Sequence, residues 1–161
     1  MSPEIAELLE RFRRGPELLA AVNTGAAGQE VDFQPAPGEW SVRQIMAHVC
    51  DAEIAGTIRF RRVLAEDEPT LEAWNEQAFA ERLDYARRKP SQSLETFRRI
   101  RAENYELLKD LPEEAFARTG NHSKNGPMTL LDLLRGYAQH AESHAQQVRR
   151  TRAAYKAQRS A

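Results

Sequence analysis

Two histidines in the last third of the sequence have the spacing of a metal-binding pair. His140 and His144 lie four residues apart in segment 129–148, whose apolar positions repeat with the period of a helix. Side chains four apart on an α-helix point in the same direction, about one turn from each other. Their shared face begins with leucines and becomes polar, and burying polar groups without partners is costly. The partner of these imidazoles is therefore either a metal ion or a set of hydrogen-bonding groups in the core.

A third histidine can complete a metal site from another helix. His48 lies about two turns into segment 42–64, whereas His122 follows Gly and Asn and is expected to be exposed in a loop. Three imidazoles leave coordination positions open, as in catalytic sites. Core histidines bonded to carbonyl groups or to Tyr137 explain the pattern equally well. Glu142 lies between the pair but points to another face, which excludes the HExxH site of zinc proteases.

Other polar side chains are candidates for the surroundings of such a site. Asp51, three residues after His48, is either a fourth ligand, an acceptor for an imidazole N–H, or an ordinary surface carboxylate. Cys50 points nearly opposite to His48 and is expected to be a small core residue rather than a nucleophile. The remaining candidates line a pocket or simply form hydrogen bonds within a helix bundle: Gln44, Asn104, Tyr137 and Gln147.

Four long helices are predicted to position these residues. Gly15-Pro16 should interrupt the first helix, because proline cannot continue the helical hydrogen bonds. Ser41 and Gln44 form a capping box that starts the second helix. Thr129 and Asp132 cap the fourth. The predicted helices span about 3–23, 41–64, 91–110 and 129–148; the linkers between them contain short helical pieces within 66–90 and 112–116 and a loop at 119–127.

These elements predict an all-α four-helix bundle in a single domain, residues 1–161. The linkers have about 16, 25 and 17 residues, none of which is a tight helical hairpin. The 25-residue linker can cross the bundle, because a helix of that length spans only about 37 Å. The second and third helices can then be parallel, which gives an up-down-down-up topology.

The composition argues against several classes of protein. The net charge is −1, so there is no basic excess of the kind that nucleic-acid binding needs. No apolar run is long enough to span a membrane, and Cys50 as the single cysteine is typical of a reducing compartment. The first twenty residues lack the apolar core of a signal peptide, so we expect a cytoplasmic protein. Solvent-facing helix surfaces are expected for the arginine clusters at 11–14, 59–62, 98–101 and 149–152.

Two segments resemble the DinB/YfiT-like superfamily: Trp40–Glu53 (WSVRQIMAHVCDAE) and Tyr137–His144 (YAQHAESH). The resemblance spans nearly the whole chain in order and spacing. It implies a four-helix bundle of up-down-down-up topology and a divalent metal ion, most often nickel or zinc, held by three histidines. By position these ligands are His48, His140 and His144. It also implies a homodimer, since relatives commonly pair through bundle faces.

The resemblance also implies a range of activities. Relatives include thiol transferases that use low-molecular-weight bacterial thiols and a mycothiol-dependent maleylpyruvate isomerase. The shared chemistry is a metal that activates a thiol or a water molecule. We therefore expect a metal-dependent thiol transferase or hydrolase whose small-molecule nucleophile comes from solution. The alternatives are a metal-binding stress-response protein without catalysis and a plain interaction bundle with core histidines.

Overall fold

The computed structural model describes residues 1–160 and is built mainly from helices. Short 3-10 turns lie at Tyr85–Arg87 and Glu113–Ala117, the second of them at the helical turn predicted after Pro112. None of the helices in these residues has the length and apolarity needed to cross a membrane. The α-helices are α1 (Pro3–Arg13), α2 (Gly15–Asn23), α3 (Gln29–Asp32), α4 (Val42–Ala65), α5 (Glu76–Arg82), α6 (Pro90–Leu108) and α7 (Leu130–Ser160).

The directions of the long helices follow from two apolar clusters at opposite ends of the bundle. The first cluster joins the beginning of α1, the ends of α4 and α6 and the beginning of α7: Ile5, Phe60, Leu108 and Leu130. The second joins the end of α2, the beginnings of α4 and α6 and the middle of α7: Leu19, Ile45, Phe97 and Ala145. Helices α4 and α6 are therefore parallel to each other and antiparallel to α1–α2 and to α7. The up-down-down-up four-helix bundle is confirmed.

Side-chain caps fix the starting points of the two helices that carry the histidines. At α4 the Gln44 N–H donates to Ser41 Oγ at 3.3 Å, and the Ser41 N–H donates to Gln44 Oε1 at 3.0 Å. At α7 the Thr129 N–H donates to Asp132 Oδ2 and the Asp132 N–H donates to Thr129 Oγ1, both at 3.0 Å. Both reciprocal caps satisfy N–H groups that lack helical partners.

The prediction of a loop at 119–127 was wrong, because this segment forms a β-hairpin. Strand β1 (Thr70–Leu71) pairs in parallel with β2 (Thr119–His122), which pairs antiparallel with β3 (Gly126–Thr129). Strands of two to four residues are too short to show the two-residue alternation of a sheet. The sequence signal is instead Asn125-Gly126, a common hairpin-turn dipeptide, and Gly126 has a φ of 77°.

The prediction that the arginine clusters face solvent was wrong for Arg101, which is only 1% exposed. Its Nε and Nη2 donate to the two carboxylate oxygens of Glu53 at 2.8 and 2.6 Å. Its Nη1 donates to the Phe12 carbonyl oxygen at 2.8 Å. That carbonyl cannot accept the helical bond from four residues later, because Pro16 has no N–H. A Cβ at Gly15 would lie 2.9 Å from Nη1, so the break between α1 and α2 makes room for the guanidinium.

Removing the guanidinium from this pair is expected to destabilise the fold strongly. Arg101→Met leaves the Glu53 carboxylate buried without its partner, and the free energy of unfolding should fall by about 3–5 kcal/mol. The control is Arg99→Met, because Arg99 is 79% exposed in its pair with Glu95 and such surface pairs contribute about 0–1 kcal/mol. Urea unfolding measures both variants.

The Glu53→Met/Arg101→Met double variant should recover much of the loss, because no charge then remains buried alone. Equal unfolding midpoints for Arg101→Met and Arg99→Met would contradict the structural importance of the buried pair.

Candidate metal centre

Three imidazoles from two helices converge at one point in the bundle. Helix α4 provides His48, and α7 provides His140 and His144 one turn apart. The Nε2 atom of His140 lies 3.1 Å from the Nε2 atom of His48 and 3.1 Å from that of His144. One potential ligand atom from each residue lies within 4.8 Å of the others. In residues 1–160 this is the one group of three or more His, Cys, Asp or Glu side chains with such spacing.

The distances between the ring nitrogens, and the positions of their protons, fit coordination of a cation better than hydrogen bonds among the three rings. Two nitrogens bound to one ion at about 2.0–2.1 Å lie roughly 3.0–3.4 Å apart, which matches the observed 3.1 Å separations. His144 Nδ1 lies 2.7 Å from Gln147 Oε1, so Nδ1 carries the proton and the Nε2 lone pair faces the cluster. His140 Nε2 can donate one proton and cannot satisfy both neighbours. A cation among the three nitrogens accepts all three lone pairs.

Burial keeps the imidazoles neutral, as metal binding requires. His48 is 1% exposed, and its ring lies 4.8 Å from the Trp40 ring and 5.5 Å from the Trp74 ring. Burial, and then the charge of His144, lowers the pKa of His48 to about 3. Burial, followed by the charges of the neighbouring histidines, lowers the pKa of His140 to about 2. Burial also lowers the pKa of His144, against the opposing effect of the Gln147 hydrogen bond.

His48 also has a polar atom without a partner. Its Nδ1 is the one buried side-chain nitrogen or oxygen in residues 1–160 that makes no hydrogen bond. Its Nε2 points at His140, so the polar atoms of this ring are not explained by core hydrogen bonding. This weakens the interpretation of His48 as an ordinary core histidine bonded to carbonyl groups.

Two of the predicted pocket residues lie beside the cluster. Gln147 orients His144 through the Nδ1–H contact described above. Tyr137 packs closely against Gly56, where an added Cβ would lie 2.5 Å from the tyrosine ring. Its hydroxyl accepts a hydrogen bond from Arg59 Nη1 at 3.1 Å. The glycine on α4 therefore leaves room for the tyrosine ring, which lines the same cavity as His140.

Three other predicted residues have structural partners instead. Asp51 is not brought to an imidazole: it accepts hydrogen bonds from Tyr85 at 2.8 Å and Arg88 at 2.6 Å. Gln44 is committed to the cap of α4. Asn104 is buried and donates to Glu53 at 3.1 Å. All three side chains form hydrogen bonds within the bundle. For Gln44 and Asn104 this was the alternative to lining a pocket. Cys50 is fully buried, as expected for a core residue.

Glu142 also lies where its position in the sequence predicts. It forms a salt bridge of 2.8 Å with Arg11 of α1 and points away from the imidazoles. This agrees with the exclusion of an HExxH arrangement, in which the glutamate would have to face the metal.

A cavity of about 180 Å³ reaches the histidine cluster at His140 and is lined partly by residues that the sequence did not reveal. His122 was predicted to be exposed but is 8% exposed, because strand β2 holds it against the bundle. The cavity wall combines side chains from both histidine helices with others from the linker after α4 and from the hairpin. Those relevant to chemistry are Arg59, Trp74, Glu76, His122, Tyr137 and His140.

Similar proteins have names that refer to metal-dependent hydrolysis. A relative from Bacillus licheniformis is 28% identical over 91 residues, which is 56% of this chain and 52% of the relative. YfiT from Bacillus subtilis is 34% identical over 65 residues, which is 40% of this chain and 36% of YfiT. Both are provisionally named metal-dependent hydrolases. These alignments therefore span about half the length of the curated relatives, or less.

The solved structure of Bacillus subtilis YfiT extends the similarity to the whole fold. It superposes with a TM-score of 0.86 at 25% identity, covering 94% of this chain and 87% of YfiT. It is described as a probable metal-dependent hydrolase with an unusual four-helix bundle topology. The sequence model of the DinB superfamily matches residues 3–148, a range that contains all three converging histidines. With this match added to the bundle topology, the chain belongs to the DinB superfamily.

Proposed function

We propose that the protein is a metal-dependent hydrolase that holds one divalent ion through His48, His140 and His144. The observation that carries the proposal is the convergence of three imidazoles, of which His48 is buried and His140 and His144 are half-buried, beside a cavity that reaches His140. Imidazole ligands suit zinc and nickel, and a site of three protein ligands leaves positions for water and substrate. The names of the relatives support hydrolysis as the type of reaction.

The side chains around the centre have distinct roles in this proposal. When bound, the metal supplies a Lewis acid that makes water a better nucleophile near neutral pH. Glu76 is the one carboxylate in the cavity wall and is the proposed acceptor of the proton that the attacking water loses. Trp40 and Trp74 flank His48 and keep bulk water from it. Gln147 holds the His144 ring in one orientation.

The nucleophile must come from solution, whether it is water or a small thiol. Burial raises the pKa of the Cys50 thiol, and the residue is fully buried, so it is unsuited to attack a substrate. Transfer to a low-molecular-weight thiol would use the same metal centre. A non-catalytic metal-binding protein is the other alternative, and the experiments below distinguish these three possibilities.

Metal analysis of untagged protein tests the ligand set. Wild-type protein should retain about one divalent ion per chain, and His48→Ala, His140→Ala and His144→Ala should each lose most of it. The control is His122→Asn, which changes the fourth histidine outside the cluster and should retain the metal. Inductively coupled plasma mass spectrometry gives the stoichiometry and the metal. Equal metal content in all five proteins would contradict the site.

Kinetics of Glu76→Gln test the proposed proton acceptor. Loss of a general base typically lowers kcat by about 10²–10⁴-fold, and the metal content should not change because the three histidines remain. Glu81→Gln is the matched control on the same helix, since both glutamates are exposed and only Glu76 lines the cavity. Hydrolysis of small nitrophenyl esters is the assay.

The same assay separates the alternatives. Turnover only when a bacterial thiol and an electrophile are both supplied would favour the transferase. Complete inactivity of metal-loaded wild-type protein with both sets of substrates would overturn the enzyme proposal.

Acid should destabilise the metal-free protein through the same histidines. Their pKa values are lowered in the folded state, to about 3 for His48 and about 2 for His140, whereas unfolded histidine has a pKa near 6.5. Between these values the unfolded chain binds more protons. Stability is therefore fully present above about pH 6.5 and is lost as the pH falls towards the folded values, by up to about 1.4 kcal/mol per pH unit for each histidine.

Urea unfolding of chelator-treated protein between pH 7 and pH 5 measures this slope. The His140→Gln variant should show a shallower slope, because one of the titrating imidazoles is absent. The same slope in both proteins would mean that His140 is not held neutral by the fold.

A further inference from the structure

The cavity beside the metal centre has a wall whose chemistry differs from that of the imidazole cluster. His140 shares this wall with Arg59 of α4, Tyr137 of α7 and His122 of β2. A volume of about 180 Å³ is on the scale of a cavity that admits a benzene ring. The cavity therefore suits a small molecule that contacts polar side chains of the wall and also lies beside His140.

Arg59 brings a positive charge to the cavity wall and forms no salt bridge within residues 1–160. Its Nη1 donates to the Tyr137 hydroxyl, and its Nη2 donates to the backbone carbonyl of Glu72. Both acceptors are uncharged. The two contacts fix the guanidinium in place and leave further N–H groups free.

His122 presents a hydrogen-bond donor in a fixed tautomer. Its Nδ1 accepts hydrogen bonds from the backbone N–H groups of Lys124 and Asn125, both at 3.2 Å. Because Nδ1 accepts, the proton of the neutral ring is on Nε2. No described residue bonds to this Nε2, and the ring forms part of the cavity wall. The turn between β2 and β3 thus orients an N–H donor for a ligand.

We propose that Arg59 and His122 bind the carboxylate of a small substrate whose reacting bond lies towards His140. A guanidinium and a neutral N–H donor are complementary to the two oxygens of a carboxylate. The opposing charge of Glu76 lies on an exposed side chain, where water and salt screen it. The inference rests on the proposed function, because a hydrolase is what gives the bound molecule the role of a substrate. Binding of a carboxylate can nevertheless be tested without turnover.

Benzoate and benzamide are suitable probes, because they have nearly the same shape and only benzoate is charged. Benzoate should bind metal-loaded wild-type protein at least about tenfold more tightly than benzamide, as measured by titration calorimetry. Arg59→Met should weaken benzoate binding about tenfold to a hundredfold and leave benzamide binding nearly unchanged. The control is Arg99→Met, which removes the same charge from an exposed position on α6 and should bind benzoate like wild type.

A second variant isolates the histidine donor. His122→Asn keeps an oxygen that can accept from the turn N–H groups but removes the Nε2–H, so benzoate affinity should fall several-fold. An NMR titration of protein labelled with ¹⁵N-histidine provides a measurement that needs no variant. The Nε2–H signal of His122 should shift with benzoate and not with benzamide.

Two results would overturn the inference. One is equal affinity for the two probes; the other is benzoate binding that survives Arg59→Met and disappears on removal of the metal, which would place the carboxylate on the ion. Selective benzoate binding that depends on Arg59, in a protein that hydrolyses no ester, would support the inference while contradicting the proposed function.

Discussion

The ion pair between Glu53 and Arg101 is the interaction on which the arrangement of the long helices depends. A buried charge is costly unless its hydrogen-bonding groups are satisfied, so the partners of Arg101 must lie in definite places. The guanidinium donates to Glu53 of α4, to the Phe12 carbonyl of α1 and to the Tyr137 carbonyl of α7. It also lies over the ring of Phe12 at 3.9 Å. One side chain of α6 thereby connects all the long segments of the bundle except α2.

This connection bears directly on the metal centre. Glu53 is five residues after His48 on α4, and Tyr137 is three residues before His140 on α7. The contacts of Arg101 with these two residues therefore hold the two histidine-bearing helices at a fixed separation, about one turn from the imidazoles. Metal sites need their ligands placed within a few tenths of an ångström. A satisfied polar network provides a more definite spacing than apolar packing alone, because each hydrogen bond requires both a distance and an angle.

The features that the sequence predicts correctly are those encoded within a few residues. Local geometry is enough to predict the helix start at Ser41 and the helix break at Pro16. It is also enough to predict that His140 and His144, four residues apart, point in the same direction. The burial of Arg101 could not be predicted in this way, because its partner Glu53 is 48 residues away and an arginine on a helix is usually exposed. The position of His122 likewise depends on the pairing of β1 with β2 across a long separation in sequence.

The residues of the proposed site therefore come from two kinds of structure, the long helices and the segments that connect them. The three clustered imidazoles lie on helices whose caps and core contacts fix them, whereas Trp74, Glu76 and His122 come from the linker after α4 and from the hairpin. Connecting segments tolerate change more readily than the core they join, so a shared bundle can carry different cavity walls. Membership of the DinB superfamily accordingly speaks for the metal centre more strongly than for the substrate. The identity of the substrate has to be argued from the residues of the cavity wall in this chain, of which Arg59 contributes the charge.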